Sequence, residues 1–154
     1  MIGTSAERLQ EIDRLVPAWE PESIWSRFER SAGRFADNDY IVMEDVRLTY
    51  ADTLRRVETV SSALYALGVR AGTHVAVRLS NCPEFVFLTF ALSRLGAVKI
   101  PVNMQLRSEE FRHILRCAKA EYLISENAAD LDEARSCADI RKTVLIGCPD
   151  SVST

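Results

Sequence analysis

The chain is short of the features from which catalytic machinery is usually built. Its 154 residues include two histidines (His74 and His113) and six glycines. Neither G-x-G-x-x-G nor a Walker loop occurs, so no glycine-rich turn is marked out to wrap a phosphate, and no G-x-S-x-G elbow presents a serine nucleophile. The four cysteines (Cys82, Cys117, Cys137 and Cys148) are spaced by 35, 20 and 11 residues, which matches neither C-x-x-C nor a zinc pattern. Free thiols in a reducing compartment are the expectation. Long apolar runs are missing too. The longest, Phe85 to Leu92, includes Thr89 and meets Arg94, far below the ~20 residues of a membrane span. Met1 to Leu15 carries Glu7, Arg8, Glu11, Asp13 and Arg14, unlike the apolar core of a signal peptide. Nor does one sign of charge dominate: 19 Lys+Arg against 22 Asp+Glu give a net charge of -3 and a pI near 5.5. That balance argues against nucleic acid or an anionic membrane surface as a partner. A soluble, cytoplasmic chain is expected.

What is present is ordinary globular material, 47% apolar and 27% charged, enough for one sizeable core. Residues 6 to 16 form a predicted short amphipathic helix stopped by Pro17, and Pro21 opens a second. Trp19, Trp25, Phe28 and Phe35 are expected to anchor this helical N-terminal arm (residues 1–37) on the core. Tyr40–Met43 and Val46–Tyr50 predict a small β-hairpin turning at Glu44-Asp45. Thr49 with Asp52 has the spacing of a capping box, and the helix it starts carries Leu54, Val57, Val60, Leu64 and Leu67 in one stripe ending at Gly68.

Strands and helices then alternate. Predicted strands lie at Val75–Leu79, Val98–Val102, Tyr122–Ser125 and Thr143–Ile146. The intervening helices run from Pro83 to Leu95, from a cap at Ser108 onward, and from Ala128 to Ala138. This order implies an α/β fold with a parallel sheet and right-handed crossovers over residues 38–147, followed by a tail at 148–154. The helix from Pro83 is apolar nearly all round and is expected to be deeply buried or to lie against further protein.

Candidate chemistry is sparse. Cys82 sits close to a helix N-terminus, but no histidine lies near it in sequence and no catalytic motif includes it, and the Ser80–Glu84 loop has no glycine. Asp130, Asp132 and Glu133 lack the spacing and turn glycine of a calcium loop and are expected to form a solvated helix face. His74 and His113 read as surface or capping histidines.

One longer pattern is more specific. Leu48-Thr-Tyr50 precedes a helix ending Leu67-Gly-Val69. Then come Val75-Ala-Val-Arg-Leu-Ser-Asn-Cys-Pro-Glu-Phe85, Leu95-Gly-Ala-Val-Lys-Ile-Pro-Val-Asn103, Leu106-Arg-Ser-Glu-Glu110 and Tyr122-Leu-Ile124. This succession, over residues about 22 to 147, resembles the N-terminal region of AMP-forming acyl-CoA synthetases, members of the adenylate-forming superfamily with luciferases and peptide-synthetase adenylation domains. Carnitine/crotonobetaine-type and fatty-acid-type CoA ligases share the wording best. Within it, Gly96 ends a helix, Pro101 suits a strand end, and Asn103 and Ser108 are placed to satisfy loop and helix-start backbone groups.

The resemblance implies a three-layer, parallel-sheet N-terminal subdomain of an ATP-dependent ligase that joins a carboxylic acid to CoA through an acyl-adenylate. ATP, Mg and CoA are implied for the parent enzyme and none for this stretch by itself. Its expected partner is the remainder of the parent chain. The family's phosphate-wrapping Ser/Thr/Gly-rich loop, its Thr-Glu segment, its ribose-binding aspartate and its C-terminal lysine have no counterpart before Thr154. No catalytic, cofactor-binding or metal-ligating residue is therefore assigned, and the chain alone is expected to be inactive. The alternative is a non-catalytic, flavodoxin-like interaction module whose partner-facing surface is the helix from Pro83.

Overall fold

The computed structural model describes residues 22–137 and 139–147; the predicted first helix, Pro21, Trp19 and Cys148 fall outside them. Helix α1 (Ile24–Arg34) starts where the Ser23 hydroxyl accepts the Ser26 N–H at 3.0 Å. Strands β1 (Asp39–Met43) and β2 (Val46–Thr49) pair antiparallel as expected, with Glu44 at the turn in the left-handed region (φ 48°).

Helix α2 (Tyr50–Leu67) takes Tyr50 from the predicted strand, because the capping box fixes the helix start at Thr49. The Thr49 hydroxyl accepts the Asp52 N–H at 3.1 Å, and Asp52 Oδ2 accepts the Thr49 N–H at 3.2 Å. Gly68 closes α2 at φ 105°, and its N–H bonds back to the carbonyl of Tyr65.

Four parallel strands follow: β3 (His74–Arg78), β4 (Val98–Pro101), β5 (Tyr122–Ser125) and β6 (Lys142–Leu145), in the spatial order β4-β3-β5-β6. Helix α3 (Pro83–Arg94) joins β3 to β4, α4 (Ser108–Cys117) joins β4 to β5, and α5 (Ala128–Ala134) joins β5 to β6. Strand alternation sorts the core into two layers. Val75, Val77, Tyr122 and Ile124 face one side with Val57, Leu64, Phe87, Leu88 and Leu92. Ala76 and Leu123 face the other with Phe111, Leu115 and Ala134. The sheet thus separates α1, α2, α3 and the hairpin from α4 and α5, which is the three-layer arrangement expected.

Trp25 and Phe28 tie α1 to this core. The Phe28 ring lies 4.2 Å from that of Phe90 and 5.0 Å from that of Tyr40. Phe35 instead remains 40% exposed beneath the Arg34 guanidinium.

Three local expectations need correction. Ser108 is the first residue of α4 and does not cap it; the Glu110 carboxylate accepts the Arg107 N–H in that role. Helix α5 ends at Ala134, shorter than predicted, once Leu131 and Ala134 have reached the core. The third concerns the acidic cluster and is taken up below. Pro101 does close the outer strand β4, and Asn103 Oδ1 does accept the Gln105 N–H at 2.9 Å.

Candidate functional site

In an open parallel sheet, ligands gather outside the strand C-termini where neighbouring strands send their helices to opposite faces. Here that place lies between β3, which leads into α3, and β5, which leads into α5. Two residues close the crevice. Glu126, just past β5, accepts both the Ser80 N–H (3.0 Å) and the Ser80 hydroxyl (2.8 Å) through Oε2. Donors that could otherwise greet an anion already hold a carboxylate.

Beneath it, a buried polar network spans three elements. Arg78 ends β3, and its Nη1 donates to Asp130 Oδ1 at 3.0 Å. Its Nη2 donates to the carbonyls of Met104 and Leu106, at 2.9 and 2.8 Å, and its guanidinium stands 4.5 Å over the Phe111 ring. Asp130 also accepts the Ser125 hydroxyl at 2.6 Å, and Ser125 Oγ in turn accepts the Asn127 N–H. Arg78 and Asp130 are 7% and 4% exposed.

Asp130 is therefore no part of a solvated face. Arg78, 52 residues earlier, supplies the countercharge that its helix does not. Asp132 does sit outward, paired with Arg135 at 2.6 Å, whereas Glu133, its side chain only 17% exposed, bridges to Arg112 of α4 at 2.6 Å. Sequence reasoning missed Arg78 as well, because a single arginine at the end of an apolar strand is its only local mark.

A groove of about 460 Å³ opens beside this edge, between Tyr40–Met43 of the hairpin and Asn81–Val86 at the start of α3. Cys82 is buried in its wall at the N-cap of α3 and makes no side-chain cap. His74 does act as a cap: Nδ1 donates to the Ala118 carbonyl just beyond α4, at 2.5 Å. His113 lies on the outer face of α4, with Nε2 3.4 Å from Cys117 Sγ. Cys117 and Cys137 carry free thiols. Among the described residues no group of three His, Cys, Asp or Glu side chains could hold a metal ion, and no helix is long and apolar enough to cross a membrane.

A doubly wound α/β subdomain with an antiparallel hairpin and a carboxylate-closed crevice is what these residues build. The chain belongs to the AMP-binding enzyme family, whose model matches residues 28–153. Among curated relatives, the crotonobetaine/carnitine–CoA ligase of Salmonella arizonae is 33% identical over 99 residues, which cover 61% of this chain and 19% of that protein. The chain thus spans about a fifth of the length of the curated relatives it matches. Among solved structures, a fatty acyl CoA synthetase of Mycobacterium tuberculosis superposes with a TM-score of 0.76 at 25% identity, over 82% of this chain and 27% of that one. The N-terminal subdomain of Klebsiella oxytoca NpsA has the same fold (TM-score 0.73, 22% identity, 80% of this chain and 31% of that one).

Proposed function

We propose that this chain supplies the N-terminal part of an ATP-dependent acid–thiol ligase, which converts a carboxylate and ATP to an acyl-adenylate and passes the acyl group to CoA. The observation that carries this reading is the family match over residues 28–153, together with the 33% identity to a carboxylate–CoA ligase. Residues 38–147 are its α/β portion, and helix α1 (Ile24–Arg34) is the described part of the N-terminal arm. Its working partner is the rest of the ligase, and its location is the cytoplasm.

Within that enzyme the chain's contribution is scaffolding. Arg78 clamps the Met104–Leu106 loop, and the Glu126–Ser80 contact fixes the crevice rim. The described residues do not fit ATP, Mg or CoA. The sequence has no glycine-rich phosphate loop, and the crevice presents a carboxylate where a phosphate would need donors. No chemical step is routed through them.

The test has two arms. The 154-residue chain, titrated with ATP in a calorimeter, is expected to give no micromolar dissociation constant. The gene's reading frame, followed past Thr154 and expressed at its full extent, is expected to catalyse carboxylate-dependent exchange of pyrophosphate into ATP. Micromolar ATP binding by the chain refutes the scaffolding role. A full-length product without exchange refutes the ligase reading and favours an interaction module.

A further inference from the structure

Glu22 is the first described residue, and its carboxylate is held by Arg30 at 2.6 and 2.8 Å and by Arg27 Nε at 3.5 Å. Arg27 also stands at the rim of a second groove, of about 250 Å³, so the chain enters α1 beside that groove. Rings wall it: Phe28 of α1, Tyr40 of β1, Tyr50 at the start of α2 and Phe90 of α3. The Tyr40 and Tyr50 rings are 4.5 Å apart, and Tyr50 stacks 6.1 Å from Phe28. Phe28 is buried, but Tyr40, Tyr50 and Phe90 are only half-buried, and Ile24 at the rim is 54% exposed. Four clustered rings and an isoleucine open to water form an apolar patch of the kind that marks a contact surface.

We propose that this groove seats the indole of Trp19, from the chain's own N-terminal segment. Trp19 lies four residues before Ser23, the N-cap of α1, and four residues reach at most about 14 Å. The groove face of α1, from Ile24 to Phe28, is only about 6 Å long. Pro17 and Pro21 flank Trp19, and a residue before proline is turned away from helix, so the sequence presents the ring from an extended link. Charge is complementary as well. Helix α1 carries Arg27, Arg30 and Arg34 against Glu29, whereas residues 7–20 carry Glu7, Glu11, Asp13 and Glu20 against Arg8 and Arg14. Seated there, the indole covers the joint where α1, the hairpin and α3 meet. The family match starts at residue 28, so this contact belongs to the chain's own segment and does not rest on the ligase reading.

The experiment labels the full 154-residue chain with fluorotryptophan, which gives one fluorine NMR signal each for Trp19 and Trp25. Trp19→Phe assigns them, and Trp25, in the core, reports on the fold. The Trp19 signal is expected away from its position in urea, with a small solvent-isotope shift. Ile24→Glu should return it to the urea position while the Trp25 signal stays, since a carboxylate in the first turn suits the helix dipole. Leu145→Glu, equally exposed but on β6, should move neither. Nuclear Overhauser contacts from the Trp19 ring to Tyr50 and Phe90 in the unaltered chain give the same reading without a groove substitution. A Trp19 signal at its urea position, or one that ignores Ile24→Glu, or the absence of those contacts, overturns the proposal. So does protection of Trp19 that fades on dilution, because the groove is then filled by a second copy.

Discussion

Arg78 and Asp130 meet at 3.0 Å across 52 residues of sequence, with side chains 9% and 6% exposed, and join the end of β3 to α5. Removing one partner of a buried pair strands the other charge and costs about 3–5 kcal/mol, whereas replacing both with apolar residues of similar volume costs far less. Asp130→Ala and Arg78→Met are each expected to lower the urea midpoint strongly. Arg78→Met should be the worse, since the carbonyls of Met104 and Leu106 also lose their donor. The double variant Arg78→Met/Asp130→Leu should cost less than the sum of the singles, read as the coupling in a double-mutant cycle.

Gly68 closes α2 at φ 105°, and a β-carbon there would lie 2.9 Å from the Tyr122 hydroxyl. That hydroxyl donates to the Leu67 carbonyl at 3.2 Å, so it is not free to swing away. Gly68→Ala is expected to cost about 1–3 kcal/mol in chemical denaturation. In a Tyr122→Phe background the same change should cost less, the remainder being the backbone strain alone.

The rings of Phe28, Tyr40 and Phe90 bring α1, the hairpin and α3 together. Phe28→Ala should destabilise by about 3–5 kcal/mol. Phe35→Ala, at a 40% exposed ring, is expected to cost under about 1 kcal/mol. Thermal melts of the two variants give the comparison.

Hydrogen bonds from the Thr49 hydroxyl and the Thr49 N–H hold the Asp52 carboxyl below its ordinary value, aided by Arg55 and Arg56. A carboxyl lowered on folding stabilises above its unfolded pKa, and that contribution is lost as pH falls through the folded value. Asp52→Asn is therefore expected to narrow the stability difference between pH 7 and pH 3, measured by urea midpoints. Thr49→Ala should cost about 1 kcal/mol at pH 7 through loss of the cap.

Lys99 shifts stability with pH in the same sense, in a higher window. With its folded value about 8 and its unfolded value 10.5, the unfolded chain holds more protons between those limits, so folding stability rises with pH there. Relative to Lys99→Met, the wild-type chain should gain stability from pH 8 to pH 10.5. A flat difference across that interval would show an amine of ordinary basicity.

Much of the fold was legible in the residues themselves. The Thr49–Asp52 box, Gly68 after Leu67, Pro83 at a first turn and the alternation of strands with helices all act within one helical turn or one strand, so neighbours in sequence suffice to specify them. The pattern Asn81-Cys-Pro-Glu-Phe85 and Gly96-Ala-Val-Lys-Ile-Pro-Val-Asn103 also carried the family resemblance, and the family match over residues 28–153 agrees with it. Where local signals were weak, as at Ser108 and at the end of α5, the boundaries moved.

By itself, then, the sequence determined the order and kind of the elements and the family. The tertiary structure alone decided which strands became neighbours, that Glu126 reaches back to Ser80, that Asp130 belongs to Arg78 and not to water, and that Lys99 lies on the Phe85 ring. Caps and apolar stripes depend on residues three or four apart. A buried charge depends on which distant side chain desolvates with it, and that is settled only when the β4-β3-β5-β6 sheet has formed.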